Sequence, residues 1–147
     1  MRIQTEIEIN ASAKTVWDVL TDFSAYPEWN PFIIDVSGEV AVGNQISIKL
    51  TPPDSNEMNF KPVVQIMEPT SDFMWIGRLF FKGVFDGAHR FQIKEIAPTR
   101  VQFVHSEEFS GILVPILKKM VEGSTTQGFI QMNEAIKLRA ESIENKA

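Results

Sequence analysis

Apolar and polar residues alternate at the start of the chain, and the spacing then becomes helical. Ile3, Ile7 and Ile9 alternate with charged and amide side chains, which predicts a half-buried first strand. Ser12 is a suitable N-cap for a short helix whose apolar positions run to Leu20. The chain therefore opens with a strand followed directly by a helix.

After this helix the pattern changes to strand, turn, strand. Pro27 and Pro31 stop helical propagation. Candidate strands cover residues 32–38, 44–51, 59–68, 72–81, 85–95 and 100–110. The breaks between them are rich in Gly, Pro, Asn, Asp or Ser, which turns require, and such short connections favour antiparallel pairing. Together with the first strand, the pattern predicts seven antiparallel strands.

The last long segment, residues 112–142, has helical spacing and carries Pro115 in its first turn, where a missing N–H is tolerated. Three small residues, Ser124, Thr125 and Gly128, lie where a packed helix would carry bulk. Glycine inside a helix costs about 1 kcal/mol relative to alanine. Close helix–sheet packing or a local bend would explain these small residues, and so would room for a ligand beneath the helix.

Composition adds an unusual aromatic content. The 147 residues include eleven phenylalanines and three tryptophans but one tyrosine, which favours a wide and dry interior. The chain has no cysteine, so disulfides and cysteine–zinc sites are excluded. A net charge of −5 argues against a nucleic-acid partner.

The sequence shows no targeting or spanning signal. The first ten residues, MRIQTEIEIN, mix charged and apolar positions and are not typical of a signal peptide. The apolar runs are too short for an integral membrane segment. We therefore expect a cytoplasmic protein with one domain over residues 1–147.

Four stretches carry a family resemblance. They are ASAKTVWDVLTDFSAYPEWNPF, FDGAHRFQI, TRVQFVHSEEFSGIL and GFIQMNEAIKLRAE. In these stretches and in its element order, the chain resembles the START-like (SRPBCC) superfamily, in its polyketide cyclase/dehydrase-type branch. The resemblance implies an α+β helix-grip fold, with a curved seven-stranded antiparallel sheet around a long C-terminal helix and two short helices after the first strand. It also implies a cavity between sheet and helix.

Strand parity indicates which polar side chains face that cavity. His89 shares a face with Phe91 and Ile93, and on the next strand His105 and Glu107 share a face with apolar residues. A turn near Pro98 would bring His89 close to both residues. Two imidazoles and a carboxylate would then meet at one end of an apolar chamber.

This cluster supports three interpretations. His89, His105 and Glu107 are the best candidates for general acid/base catalysis, since a carboxylate can fix the tautomer of a neighbouring imidazole. They could instead orient a polar group of a ligand, or simply satisfy one another. We expect no cofactor and no metal, although such a donor set is chemically able to bind an ion.

Aromatic and small residues complete the candidate site. Trp75 lies in a stretch where both parities are apolar, so its direction is undetermined by pattern. The candidate ligand-binding residues are Phe23, Trp29, Trp75, His89, Phe91, Phe103, His105, Met120, Ser124 and Gly128. Core packing is the alternative role for the aromatic members.

The segment LFFKGVF, residues 79–85, places large apolar residues around a glycine turn, where surface loops are usually polar. We expect a lid or mouth over the cavity. A dimer contact or docking surface, or burial in the core, would also account for the pattern.

The function that this sequence favours is binding, and with it transport or sequestration, of a small hydrophobic molecule such as a lipid, polyketide or aromatic compound. One alternative is an enzyme resembling the polyketide cyclases and dehydratases that uses the His/Glu cluster. Another is a protein-interaction module, related to chaperone-cofactor domains, that uses residues 79–85. A homodimer is one further alternative.

Overall fold

The computed structural model describes residues 1–79 and 81–146. Its strands are β1 (Arg2–Ile9), β2 (Ile33–Ser37), β3 (Ser47–Leu50), β4 (Met58–Phe60), β5 (Val63–Glu68), β6 (Asp72–Leu79), β7 (Phe85–Ala97) and β8 (Arg100–Ser110). Its helices are α1 (Ala13–Thr21), a 3₁₀ turn (Phe23–Ala25), α2 (Tyr26–Trp29), α3 (Val114–Met120), a π-helical turn (Val121–Thr125) and α4 (Thr126–Lys146). The α+β helix-grip prediction is confirmed: α4 packs against β1, β8 and α1.

The strands form two antiparallel sheets. One has five strands in the order β1-β8-β7-β6-β5, and the other has three in the order β2-β3-β4. The prediction of seven strands was wrong in number, because the candidate strand over residues 59–68 is divided at Pro62. Proline has no N–H to donate to a ladder, so it interrupts a strand. The Pro62 carbonyl accepts the N–H of Ile46, which joins the segment just before β3 to the one just before β5.

The first helix forms for the local reason that the sequence indicates. Ser12 caps α1 by accepting the Thr15 N–H at 3.1 Å. Trp17 is buried on its inner face, as expected for a core residue. The Phe23 ring then contacts Tyr26 at 5.5 Å and Phe73 on β6 at 5.8 Å between ring centroids. The aromatic stretch after β1 therefore packs the short helices onto the sheet.

The C-terminal helix runs from Val114 to Lys146 with the π-helical turn inside it. Phe129, Met132, Ile136 and Ala140 form the buried face of α4. Gly128 lies on the same face, where an added Cβ would be 2.3 Å from Cδ1 of Phe32. The missing bulk at Gly128 is thus filled by a phenyl ring from the sequence just before β2. Among the described residues, no helix combines the length and apolar content that crossing a bilayer needs.

The Gly128 contact predicts a pair of opposite stability effects. Gly128→Ala forces the buried Phe32 ring to move and should lower the free energy of unfolding by about 1–3 kcal/mol. Gly123→Ala is the matched control, because its Cβ meets no atom within 4 Å. That change should be neutral or stabilise by up to about 1 kcal/mol. Urea unfolding measures both, and equal effects would contradict the packing argument.

Candidate functional site

An apolar cavity of about 120 Å³ lies at one end of the fold, between β3, β4, β6–β8 and the helical segment around α3. Its apolar lining residues are Ile48, Leu50, Met58, Phe60, Trp75, Leu79, Phe85, Phe109, Leu117, Met120 and Val121. Arg78, His89, Glu107 and Thr125 are the polar side chains on its wall. Arg78 and Met120 are exposed, so the cavity reaches the surface beside them.

The predicted contact between the two histidines is confirmed. His89 pairs with Glu107 across β7 and β8, and Phe91 pairs with His105. Nε2 of His89 lies 2.7 Å from Nε2 of His105, and Nδ1 of His89 lies 3.3 Å from a carboxylate oxygen of Glu107. Both imidazoles are buried, whereas Glu107 is partly exposed on the cavity wall. A 2.7 Å separation of two nitrogens is a hydrogen bond, shorter than two ligands keep around one zinc ion.

A series of hydrogen bonds connects His105 to the long helix. Nδ1 of His105 donates to the Asn133 side-chain oxygen at 2.9 Å. The Asn133 amide donates to the Thr5 hydroxyl at 2.8 Å, and this hydroxyl donates to the His105 carbonyl at 3.1 Å. Strands β1 and β8 and helix α4 are therefore tied together by one closed set of hydrogen bonds.

The donors and acceptors in this series of hydrogen bonds determine which imidazole nitrogens carry a proton. Because the Asn133 oxygen can only accept, His105 carries its proton on Nδ1 and leaves Nε2 as an acceptor. His89 must then donate from its own Nε2. Nδ1 of His89 and the nearby carboxylate of Glu107 are left facing each other. Their separation of 3.3 Å puts the Glu107 carboxylate beside the His89 imidazole at the cavity.

His105 is held neutral by its surroundings. Burial lowers the pKa of His105 well below its usual range, and the neighbouring His89 lowers that pKa further, against a smaller opposite effect of the Asn133 hydrogen bond. The ring also stacks on Phe129, with centroids 3.9 Å apart and planes 6° from parallel. His105 is thus a fixed acceptor for His89 rather than a group that faces a ligand.

Two residues next to His89 and Glu107 shape the cavity wall. An added Cβ at Gly87 would lie 2.2 Å from a carboxylate oxygen of Glu107, so the missing side chain is what makes room for that carboxylate. Trp75 points inward and stacks on His89, with ring centroids 4.9 Å apart. The direction that the sequence left open for Trp75 is therefore toward the cavity.

Only some of the predicted ligand-binding residues line the cavity. Trp75, His89 and Met120 line the cavity, and Glu107 does so as well. Phe91, Phe103 and His105 are fully buried behind this wall, while Phe23 and Trp29 pack with Tyr26. Ser124 donates to the Pro53 carbonyl, and Gly128 is occupied by Phe32, so neither lies on the cavity surface.

The segment over residues 79–85 divides between the cavity and the surface. Leu79 and Phe85 line the cavity, as expected for its mouth. Phe81 is exposed to solvent instead. Phe80 lies outside the described residues.

Asn133 is the main site residue that the sequence did not indicate. It is buried on the inner face of α4, between Met132 and Ile136. The sequence did contain one indication of this role, which is a single amide side chain on an otherwise apolar face of the helix. Buried amides need hydrogen-bond partners, so this position implied a polar group on the facing strands.

Comparison with known proteins assigns a family to the chain. A family model described as polyketide cyclase / dehydrase and lipid transport matches residues 1–137. A search by sequence among curated proteins gave no match.

Solved structures share the fold at low sequence identity. The Zhui aromatase/cyclase from Streptomyces sp. R1128 has a TM-score of 0.78 at 15% identity, over 96% of this chain and 93% of that one. A START superfamily protein from Mycobacterium smegmatis has a TM-score of 0.76 at 20% identity, over 97% and 98%. Norcoclaurine synthase from Thalictrum flavum, in complex with dopamine and hydroxybenzaldehyde, has a TM-score of 0.74 at 16% identity, over 97% and 87%.

The lowered pKa of His105 predicts acid sensitivity. The unfolded chain takes up a proton at this residue near pH 6.5, while the folded protein keeps it neutral. The free energy of unfolding should therefore fall as the pH drops below about 6.5, by up to about 1.4 kcal/mol per pH unit from this group. Urea unfolding between pH 7 and 5 should show a shallower slope for His105→Gln. Equal slopes would exclude this residue as the source.

The position of Gly87 predicts that a side chain added there would disturb the contact between His89 and Glu107. Gly87→Ala should push the Glu107 carboxylate away from His89, which ¹⁵N NMR detects as a changed His89 Nδ1 shift. Gly77→Ala is the matched control: Gly77 faces Gly87 across the ladder, and its added Cβ would meet only Pro62, at an ordinary 3.8 Å. An unchanged ¹⁵N chemical shift of His89 Nδ1 in Gly87→Ala would contradict the conclusion that Gly87 makes room for the Glu107 carboxylate.

Proposed function

Because the chain belongs to the polyketide cyclase/dehydrase and lipid transport family, we propose that it binds one small hydrophobic molecule in the cavity beside α3. The observation that carries this proposal is an apolar chamber whose wall is interrupted by the His89–Glu107 pair. Apolar walls with a few convergent polar groups are typical of ligand sites. Burial of apolar ligand surface supplies the affinity, and the pair supplies orientation.

The size of the cavity limits the ligand. A volume of about 120 Å³ is close to that of an engineered apolar cavity that takes up benzene, which is roughly 150 Å³. One ring or a short acyl chain therefore fits without rearrangement. A longer molecule requires α3 to move outward, and α3 has no buried residue to resist that motion.

The polar pair selects for a hydrogen-bonding group on the ligand. Glu107 is the member of the pair that is partly exposed, and Gly87 leaves its carboxylate beside the cavity. A ligand hydroxyl can donate to this carboxylate. A phenol ring placed against Trp75 with its hydroxyl toward Glu107 satisfies both the apolar walls and the polar pair.

This function predicts selective binding of single-ring compounds. Hydroxybenzaldehyde, which norcoclaurine synthase holds in its solved complex, should raise the thermal unfolding temperature, and toluene should do so more weakly. Saturation at 100 times Kd corresponds to about 2.7 kcal/mol of added stability. Leu117→Trp, on the cavity wall, should abolish both shifts. Leu138→Trp, exposed elsewhere on the C-terminal helix, should keep them. A wild-type protein that responds to neither compound would overturn the proposal.

The contact between His89 and Glu107 also favours a second candidate, general acid/base catalysis on the bound molecule. The Glu107 carboxylate can accept a proton from a ligand carbon or hydroxyl, and His89 lies 3.3 Å behind it. His105 and Asn133 keep His89 in one tautomer, which is the support that an acid/base pair needs. A cyclase or dehydratase reaction requires such proton movements.

Hydrogen exchange provides a substrate-independent test of this second candidate. Acetophenone has one ring and hydrogens next to a carbonyl, and wild-type protein should accelerate their exchange with D₂O, as measured by ¹H NMR. Glu107→Gln should lower the acceleration by about 10²-fold or more. Glu108→Gln is the control, because that exposed carboxylate follows in the same strand on its opposite side. An exchange rate equal to that of buffer, or unchanged in Glu107→Gln, would contradict the role.

A further inference from the structure

Large apolar side chains are exposed together at the mouth of the cavity. Phe81 after β6 is 78% exposed, and Ile112 just before α3 and Ile116 within it are each 75% exposed. Met120, which lines the cavity, is 45% exposed on the same helical segment. Isolated exposed apolar residues are ordinary, but a contiguous group is typical of an interaction site.

Two backbone hydrogen bonds join the two segments that carry these side chains. The N–H of Ile112 donates to the Gly83 carbonyl, and that of Leu113 donates to the Val84 carbonyl, both at 3.0 Å. Gly111 permits this close approach with a φ of +117°, where a Cβ would lie 2.5 Å from the Val84 oxygen. The turn after β6 and the start of α3 are therefore one structural unit.

Lysines accompany the apolar residues. Lys82 follows Phe81 in the turn, and Lys119 lies three residues after Ile116, on the same side of α3; both are exposed. Lys118 is 3.8 Å from Glu122, so its charge is partly neutralised. We call Phe81, Lys82, Ile112, Ile116, Lys119 and Met120 the rim patch. Its basic character contrasts with the net charge of −5 of the whole chain.

We propose that the rim patch docks this protein on the surface of an anionic lipid bilayer. Aliphatic and phenyl side chains enter the boundary between headgroups and acyl chains, and flanking lysines remain at the charged surface. Anionic headgroups complement Lys82 and Lys119, whereas they would be repelled by most of an acidic protein. The mouth of the cavity then faces the bilayer. This inference concerns the outer surface and does not depend on which molecule the cavity binds.

Sedimentation with vesicles tests the docking. The full chain is incubated with phosphatidylcholine vesicles, or with vesicles containing 30% phosphatidylglycerol, and bound protein is measured after centrifugation. We expect binding to the anionic vesicles that weakens as salt is raised, and at least tenfold weaker binding to the neutral ones.

Two matched pairs of variants locate the surface. Ile116→Glu should reduce binding to the anionic vesicles at least tenfold, whereas Leu138→Glu, 72% exposed on α4, should not. Lys119→Glu should reduce binding roughly tenfold, whereas Lys94→Glu, exposed on β7, should leave it unchanged. Circular dichroism confirms that each variant is folded.

Three outcomes would overturn the proposal. They are no binding to anionic vesicles, equal loss in Leu138→Glu and Ile116→Glu, and a wild-type dimer in sedimentation equilibrium that Ile116→Glu dissociates. The last result would assign the rim patch to a second copy of the chain. Toluene binding measured without vesicles reports on the cavity alone, so a failure of docking and a failure of ligand binding are distinguishable.

Discussion

The hydrogen bond between His89 and His105 is the constraint around which the rest of this structure is arranged. Two imidazoles in an aromatic interior need a partner for every nitrogen, since an unsatisfied buried polar atom costs about 1–3 kcal/mol. His105 finds that partner in Asn133 on the long helix, and His89 finds it in Glu107 at the cavity. The same requirement therefore positions α4 on the sheet and leaves a polar pair facing the ligand space.

Strand register made the histidine contact predictable from the sequence. A tight turn near Pro98 fixes which residues of β7 and β8 face each other, and the alternation of side chains fixes their direction. The register shift between Glu95 and Ala97 lies between the turn and His89, and it sets the register in which His89 pairs with Glu107 and Phe91 with His105. Alternation and turn position thus indicated this part of the site, and the bulge supplies the register that brings its residues together.

The remainder of the site depends on which side chain fills the space beside each glycine, which no sequence pattern encodes. The space at Gly87 is explained only by the Glu107 side chain of the neighbouring strand, and that at Gly128 only by Phe32. A small residue on the apolar face of a helix is consistent with a bound ligand and with a neighbouring side chain. Both need the same empty space beside the helix. The element count failed for a related reason: Pro62 ends one strand and allows another to begin in a different sheet.

The long helix has two halves with different physical roles. Residues from Gly128 onward bury a continuous face with Phe129, Met132 and Ile136, whereas α3 buries no residue and is joined to α4 by a π-helical turn. Such turns interrupt regular helical packing and are frequent at functional sites. Because α3 forms part of the cavity wall and also carries rim-patch residues at its mouth, contact of that patch with a bilayer acts on the same segment that a larger ligand must displace. The weakly packed half of the helix is therefore where binding inside the protein and docking outside it can influence each other.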